Sequence, residues 1–282
     1  YNKNPIFFYK DHYSLKDIEK IIVKENIDLV PIVNQDKKYI KYITWKNVYT
    51  KKIIQKFKKI KNLSVVIIAG GKGTRLGVLS KILPKPLIPI NEKTLIENIM
   101  DFFKKYELNN FYVIINYKAE LIKSFFSYIK NYKIKFVTEN KYLGTAGSLN
   151  LVKNIPTANT IVSNCDILFN FDLFDCVETH KKNKNDITLV VTKKVMKIPY
   201  GVCEFKDNLL ISINEKPEFS HIINTGMYIM KTKIFNEIKK NETIDMNELL
   251  KRSIKNKYRI GKYLINNSNW TDYGDLNKLD NI

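Results

Sequence analysis

The chain carries 282 residues, 44% of them hydrophobic, enough to bury one full α/β domain and a smaller unit besides. No apolar run approaches the ~18 residues of a membrane span and no charged-then-apolar leader opens the sequence, so a cytoplasmic protein with no membrane partner is expected; because the first residue is Tyr1 rather than Met, residues are expected upstream. The formal charge of +20 comes almost wholly from lysine, with Arg only at 75, 252 and 259, scattered among Asn and Ile instead of gathered in a stripe, which reads as solvated surface and argues against a nucleic-acid partner.

Residues 1–61 read as a separate unit with a linker. Ser14-x-x-Asp17 caps a helix with Leu15, Ile18, Ile21 and Ile22 on one face. Leu29-Val30-Pro31-Ile32-Val33 is a short apolar strand, Asn34-Gln35-Asp36 a turn, and Tyr39 to Thr44 an alternating strand. A lysine-rich helical stretch from Trp45 to Lys61 closes the unit. This order of helix, strand, turn, strand and helix resembles one half of a CBS module.

From residue 62 to 282 the texture becomes that of an α/β domain. Ser64 to Ala69 is a continuous β-branched run, as in a parallel strand covered on both faces. Thr94-Leu95-Ile96-Glu97 forms a capping box for a helix whose apolar side carries Leu95, Ile96, Ile99, Phe102, Phe103 and Tyr106. Phe111 to Asn116 is the next strand, followed by a helix through Leu121, Ile122, Phe125 and Ile129. Strands at Ile134–Thr138 and Thr160–Ser163 follow. The alternation predicts a doubly wound, mainly parallel sheet with its ligand site outside the carboxyl ends of the strands.

Directly after the first of these strands comes Ala69-Gly70-Gly71-Lys72-Gly73-Thr74-Arg75-Leu76. Glycines here let the backbone approach a ligand and turn N–H groups towards phosphate oxygens, while Lys72 and Arg75 add positive charge. The spacing excludes Walker A, since Gly73 follows Lys72 where Ser or Thr is needed. It also excludes the dinucleotide fingerprint, since Gly71, Gly73 and Gly77 stand as G-x-G-x-x-x-G.

With Leu83-Pro84-Lys85-Pro86-Leu87-Ile88-Pro89, the stretch resembles the two-part signature of the sugar-1-phosphate nucleotidyltransferases, which have a Rossmann-like, GT-A-like α/β fold. The resemblance implies that Ala69, Gly70, Gly71, Lys72, Gly73 and Thr74 bind a nucleotide and that Arg75 and Lys85 lie on phosphates. It continues to about Leu276. Glu139 and then Leu143-Gly144-Thr145-Ala146-Gly147 look like the segment that closes over the nucleotide base and sugar, with Glu139 counted among the sugar-binding residues. On its own, Gly-Thr-Ala-Gly reads equally well as a turn into a helix. Asp166 in Asn164-Cys165-Asp166 and Asp272 in Trp270-Thr271-Asp272-Tyr273-Gly274 match the family's Mg²⁺ ligands, though an Asp after a strand also serves as an Asx turn. Asp275 stands where the family often has threonine. Gly201, the Glu215-Lys216 pair, Asn224 and Thr225 match residues around the sugar, with Lys216 on the phosphate.

The family's reaction needs no general base, because a sugar 1-phosphate is already largely dianionic, its second pKa lying near ~6. His12, His180 and His221 have no catalytic signature around them, which fits. Cys165, Cys176 and Cys203 form no CxxC pair and are expected to be buried small hydrophobes. The Leu-Gly-Thr-Ala-Gly form resembles the guanylyl-transferring branch, so GTP is the expected donor. A CBS-like unit before such a domain resembles the enzyme that makes GDP-glucosamine for legionaminic acid synthesis, so glucosamine 1-phosphate is the expected acceptor. Mannose or heptose 1-phosphate is the alternative. A catalytically silent regulatory paralogue would have lost the charged residues that are present here. The chain ends soon after Asp272, so nucleotidyl transfer alone is expected, without a β-helix acyltransferase domain. The oligomeric state is left open, a homo-oligomer included.

Overall fold

The computed structural model describes residues 6–10, 13–25, 27–44, 57–73 and 77–274. The chain divides into two compact units, Tyr1–Phe57 and Lys58–Ile282. In the first, β1 (Phe8–Tyr9), β2 (Leu29–Val33) and β3 (Tyr39–Thr44) form a sheet in the order β1-β2-β3, parallel then antiparallel. Helix α1 (Leu15–Glu25) starts where Ser14 and Asp17 exchange hydrogen bonds, the Ser14 hydroxyl donating to Asp17 at 2.6 Å. Ile18, Ile22, Val30 and Ile32 make its small core. The expected helix after β3 falls mostly on residues 45–56, outside the described residues.

The second unit is built on a seven-stranded sheet. Its elements are β4 (Leu63–Ala69), α2 (Gly77–Ile82), β5 (Pro89–Ile90), β6 (Lys93–Thr94), α3 (Leu95–Lys104), β7 (Asn110–Ile115), α4 (Ala119–Ser127), β8 (Lys133–Thr138) and the single turn α5 (Gly144–Gly147). Then follow β9 (Asn159–Asn164), β10 (Ile167–Phe169), α6 (Leu173–Lys182), β11 (Ile187–Lys197), β12 (Val202–Lys206), β13 (Leu209–Asn214), β14 (Glu218–Lys231), α7 (Met246–Lys255), β15 (Ile260–Ile265) and β16 (Trp270–Asp272). The strand order is β15-β11-β14-β9-β4-β7-β8, and β14 alone runs antiparallel to its neighbours. This is the mainly parallel α/β sheet that the alternation predicts. β12 and β13 pair only with each other, as a hairpin, and β10 pairs with β16.

Strand β4 lies in the interior of the sheet, between β9 and β7, and both its faces are apolar: Val65, Val66 and Ile67 have no exposed surface. Thr94 and Glu97 close the capping box of α3, and all six of its predicted apolar residues are buried. In α4 the buried pair is Ile122 and Phe126, four apart on one face, whereas Leu121 is exposed, contrary to expectation. Cys165 and Cys176 are buried, but Cys203 on the β12–β13 hairpin is exposed.

Candidate functional site

The carboxyl ends of β4, β8 and β9 open on two adjoining cavities of about 520 and 510 Å³, which share Tyr142, Thr145, Asn164 and Asp166 in their walls. The first is lined by Gly70 to Gly73 after β4, Glu139 after β8, Gly144, Lys85 and Cys165. A Cβ on Gly70 would lie 2.2 Å from Glu139 Oε2, so any larger residue there would have to displace that carboxylate. The Glu139 backbone is fixed by its N–H donating to Ile115 O and its carbonyl accepting from Asn116 Nδ2, each at 2.9 Å. Its side chain accepts a long 3.4 Å bond from the Leu143 N–H, and burial pushes its pKa up to about 7, offset in part by that N–H.

Lys85 sits in a 3₁₀ turn held between Pro84 and Pro86, and its side chain is almost fully buried. Its Nζ donates to Asp166 Oδ2 at 2.5 Å. Asp166 follows β9, and pairing of β10 with β16 brings Asp272 opposite Ile167 while the Tyr273 N–H donates to Asp166 O at 2.8 Å. A Cβ on Gly274 would stand 2.7 Å from Asp272 Oδ1 and 3.5 Å from Asp166 Oδ2, so residues 106 positions apart in sequence present carboxylate oxygens to one spot. Asp166 Oδ1 is buried with no hydrogen-bond partner among the described residues. A carboxylate that lines both cavities, keeps one oxygen without a hydrogen-bond partner among the described residues and brings the other near a second carboxylate fits a hard cation such as Mg²⁺ whose remaining ligands come from phosphate and water.

The second cavity is lined by Asn224, Thr225, Gly226, Tyr228, Trp270 and Asp272, with Asp245, Met246 and Asn247 at the start of α7. The Gly226 N–H donates to Asn224 Oδ1 at 3.1 Å, the Thr225 hydroxyl to Val190 O at 2.8 Å, and Trp270 Nε1 to Thr225 O at 3.2 Å. Asn224 Nδ2 also donates to the Tyr228 hydroxyl.

Residues 64–282 match the model of one protein family, described as nucleotidyl transferase. The chain belongs to that family. It is 31% identical over 196 residues to the D-glycero-alpha-D-manno-heptose 1-phosphate guanylyltransferase of Campylobacter jejuni, covering 68% of this chain and 87% of that protein. It is also 31% identical over 222 residues to the bifunctional protein GlmU of Methanococcus aeolicus, covering 75% of this chain and 51% of that protein, so it spans about half that relative's length. Among solved structures it resembles HddC from Yersinia pseudotuberculosis at 25% identity and a TM-score of 0.62, over 77% of this chain and 96% of that one.

The nucleotidyltransferase fold thus gathers many of the residues singled out in the sequence. Gly70, Gly71, Lys72, Gly73, Lys85, Gly144, Thr145 and Asp166 line the first cavity; Asn224, Thr225 and Asp272 line the second. Ala69 and Ala146 are buried next to the first cavity's residues rather than lining it. Glu139, assigned in the sequence to the sugar, lines the first cavity, with the glycine-rich loop, because it directly follows β8 beside Gly70. Gly201, Glu215 and Lys216 meet at the base of the β12–β13 hairpin, a Cβ on Gly201 standing 3.0 Å from Glu215 Oε2. They line neither cavity. Thr74 and Arg75 lie outside the described residues. Sequence reasoning passed over Tyr142 and Asn164, in the walls of both cavities, and Asp245. Asp245 did carry a signal: with Glu248 three residues on, it forms the capping box of α7. No helix among the described residues is long and apolar enough to cross a membrane.

Proposed function

We propose that the chain transfers the guanylyl group of GTP to a sugar 1-phosphate and releases pyrophosphate. The first cavity takes the nucleotide and the second the sugar phosphate. The observation that carries the nucleotide choice is Glu139, a buried carboxylate in the wall of the first cavity. An ionised carboxylate only accepts hydrogen bonds, and guanine offers N1–H and the N2 amino group side by side as donors. Uracil and thymine flank their single N–H with carbonyls, which a carboxylate repels. Two N–H donors from guanine would also hold Glu139 ionised against the effect of burial. The name of the Campylobacter jejuni relative supports the same reading.

In this reading a phosphate oxygen of the sugar phosphate forms a bond to the α-phosphorus as the bond to the β-phosphate oxygen breaks, and the electron pair leaves with pyrophosphate. Lys85, with Arg75, neutralises phosphate charge and holds the reacting groups in line. Asp166 and Asp272 would hold Mg²⁺, which when bound supplies further positive charge at the phosphate oxygens. For the acceptor we favour glucosamine 1-phosphate. The support is the order of the two units, a CBS-like unit ahead of a guanylyltransferase-like domain, which resembles the enzyme that makes GDP-glucosamine. Residues 1–61 are read as a partial CBS-like regulatory unit with its linker, and 62–282 as the catalytic domain.

Pyrophosphate release across a matrix of nucleoside triphosphates and hexose, heptose and hexosamine 1-phosphates tests this. GTP with glucosamine 1-phosphate is expected to be fastest, and Glu139→Gln to lose at least tenfold of the preference for GTP over UTP, the value of one charged hydrogen bond. A wild-type preference for UTP or dTTP would overturn the guanine reading, and a preference for a heptose or mannose 1-phosphate the amino-sugar reading.

A further inference from the structure

We propose that Asp245 is a positioning residue for the nucleotide: it lies in the wall of the second cavity, yet its carboxylate holds the Gly144–Ala146 turn that forms part of the first. This rests on the assignment of the two cavities made above.

The turn cannot hold its own shape. α5 is four residues long, too short to be stable by itself, and Leu143 before it offers no side-chain cap. Its hydrogen bonds run instead to residues 244–246, a hundred positions away. The Ala146 and Gly147 N–H groups both donate to Ile244 O, and the Ile244 N–H donates to Leu143 O, each at 3.0 Å. The Thr145 N–H donates to Asp245 Oδ1 at 3.0 Å, the Thr145 hydroxyl to the same oxygen at 3.3 Å, and the Met246 N–H to the Thr145 hydroxyl oxygen at 2.9 Å.

The contact is close enough to dictate sequence. Gly144 has φ +79°, and a Cβ there would meet Ile244 O at 2.5 Å and Asp245 Oδ1 at 2.9 Å. Of the groups in this clasp only Asp245 carries a charge, and bonds to a charged acceptor are about twice as strong as neutral ones. Asp245 does not line the first cavity, while Gly144 and Thr145 do. The hydrogen bonds from Asp245 to the wall of the first cavity therefore run through the turn.

Asp245 also begins α7, so the variants must separate capping from positioning. Asp245→Ser keeps a capping side chain for α7 but is too short to reach Thr145. Asp245→Asn keeps an acceptor oxygen where Oδ1 stands. Nucleotide affinity is measured calorimetrically without sugar phosphate, and KM for both substrates is measured alongside. The nucleotide is the one the wild-type chain turns over fastest, so failure of the GTP assignment leaves this test intact.

Asp245→Ser is expected to weaken nucleotide binding about tenfold with its melting temperature nearly unchanged, and Asp245→Asn, which keeps the acceptor without the charge, to restore about half of that loss on a logarithmic scale. Asn247→Ala, in the same cavity wall but not hydrogen-bonded to the turn, is expected to raise KM for the sugar phosphate alone. Unchanged nucleotide affinity in Asp245→Ser, or a change confined to the sugar phosphate, would overturn the proposal. A loss of affinity that Asp245→Asn does not reverse even in part would do so too.

Discussion

Asp166 carries two burdens that a single substitution separates. Its Oδ2 is the partner of the nearly buried Lys85 and lies near the spot that Asp272 reaches, and its Oδ1 is buried without a hydrogen-bond partner among the described residues. Asp166→Asn keeps the shape but removes the charge opposite Lys85, leaving a cation in a poorly solvated place. We expect a loss of stability of up to about 3 kcal/mol, below the full cost of a completely buried pair, together with at least ~10²-fold in rate. Asp272→Asn should lose a similar factor in rate but little stability, because an amide oxygen can still accept the Gly274 N–H that Asp272 Oδ1 accepts at 2.7 Å. Two carboxylates held together without a cation repel, which taken alone would make either change nearly neutral for stability. The Lys85 ion pair reverses that expectation for Asp166. Urea denaturation and turnover of the two variants check it, and near-normal turnover in either would remove that residue from the metal site.

At the scale of elements, two buried groups pull stability in opposite directions as pH changes. His180 on α6 is bonded through Nδ1 to the Thr188 hydroxyl on β11 at 2.8 Å and through Nε2 to Asn159 Oδ1 on β9 at 3.2 Å. Burial, then the nearby Lys231, lowers its pKa to about 4. Because the unfolded chain binds the proton from about pH 6.5 downwards, this contribution is complete above that pH and is lost as pH falls towards 4. Glu139, raised to about 7 by burial, behaves in reverse. Its contribution is complete below the unfolded value near 4.5 and is lost as pH rises through 7. Between pH 4.5 and 7 the two slopes partly cancel in the wild type. They should separate in the variants: His180→Gln loses less stability than wild type on acidification, and Glu139→Gln gains on wild type as pH rises from 4.5 to 8. Urea midpoints at four pH values would show it, and parallel curves for all three proteins would refute both assignments.

The same elements show what a linear sequence exposes. The strand and helix signals are local, so β4, β7, β8 and β9 begin and end within a residue of where their apolar runs predict, and the capping box at Thr94 is where it was read. The glycine-rich loop, Lys85, Asp166 and Asp272 were legible because each sits in a compact motif. The place of Glu139 in the wall of the first cavity was not legible, because it depends on Gly70, a residue that follows another strand. The clasp at Asp245 was missed because its partners come from a segment a hundred residues earlier, joined through backbone atoms that every residue has.

At the scale of the molecule, the question is how much of the chain the chemistry needs. Both cavities are lined by residues between Ile68 and Asp272, and the family match begins at residue 64. The sequence alone put the start of the catalytic part at residue 62, yet the preceding residues belong physically with the sheet. Ile60 is buried and its N–H donates to Tyr106 O at 3.0 Å, Lys59 pairs with Glu107, and the Lys58 ammonium lies 4.9 Å from the Phe174 ring centre. A chain starting at Lys58 keeps these contacts; one starting at Asn62 discards them and removes a buried isoleucine, worth about 2 kcal/mol or more. We therefore expect the Lys58 truncation to retain the wild-type melting temperature of the second unit and kcat within about threefold, the Asn62 truncation to melt several degrees lower, and both to keep the same ranking of nucleotides. Calorimetry and the pyrophosphate assay on the two truncations decide it. A folded Lys58 truncation without turnover would mean that the first unit supplies something the reaction requires.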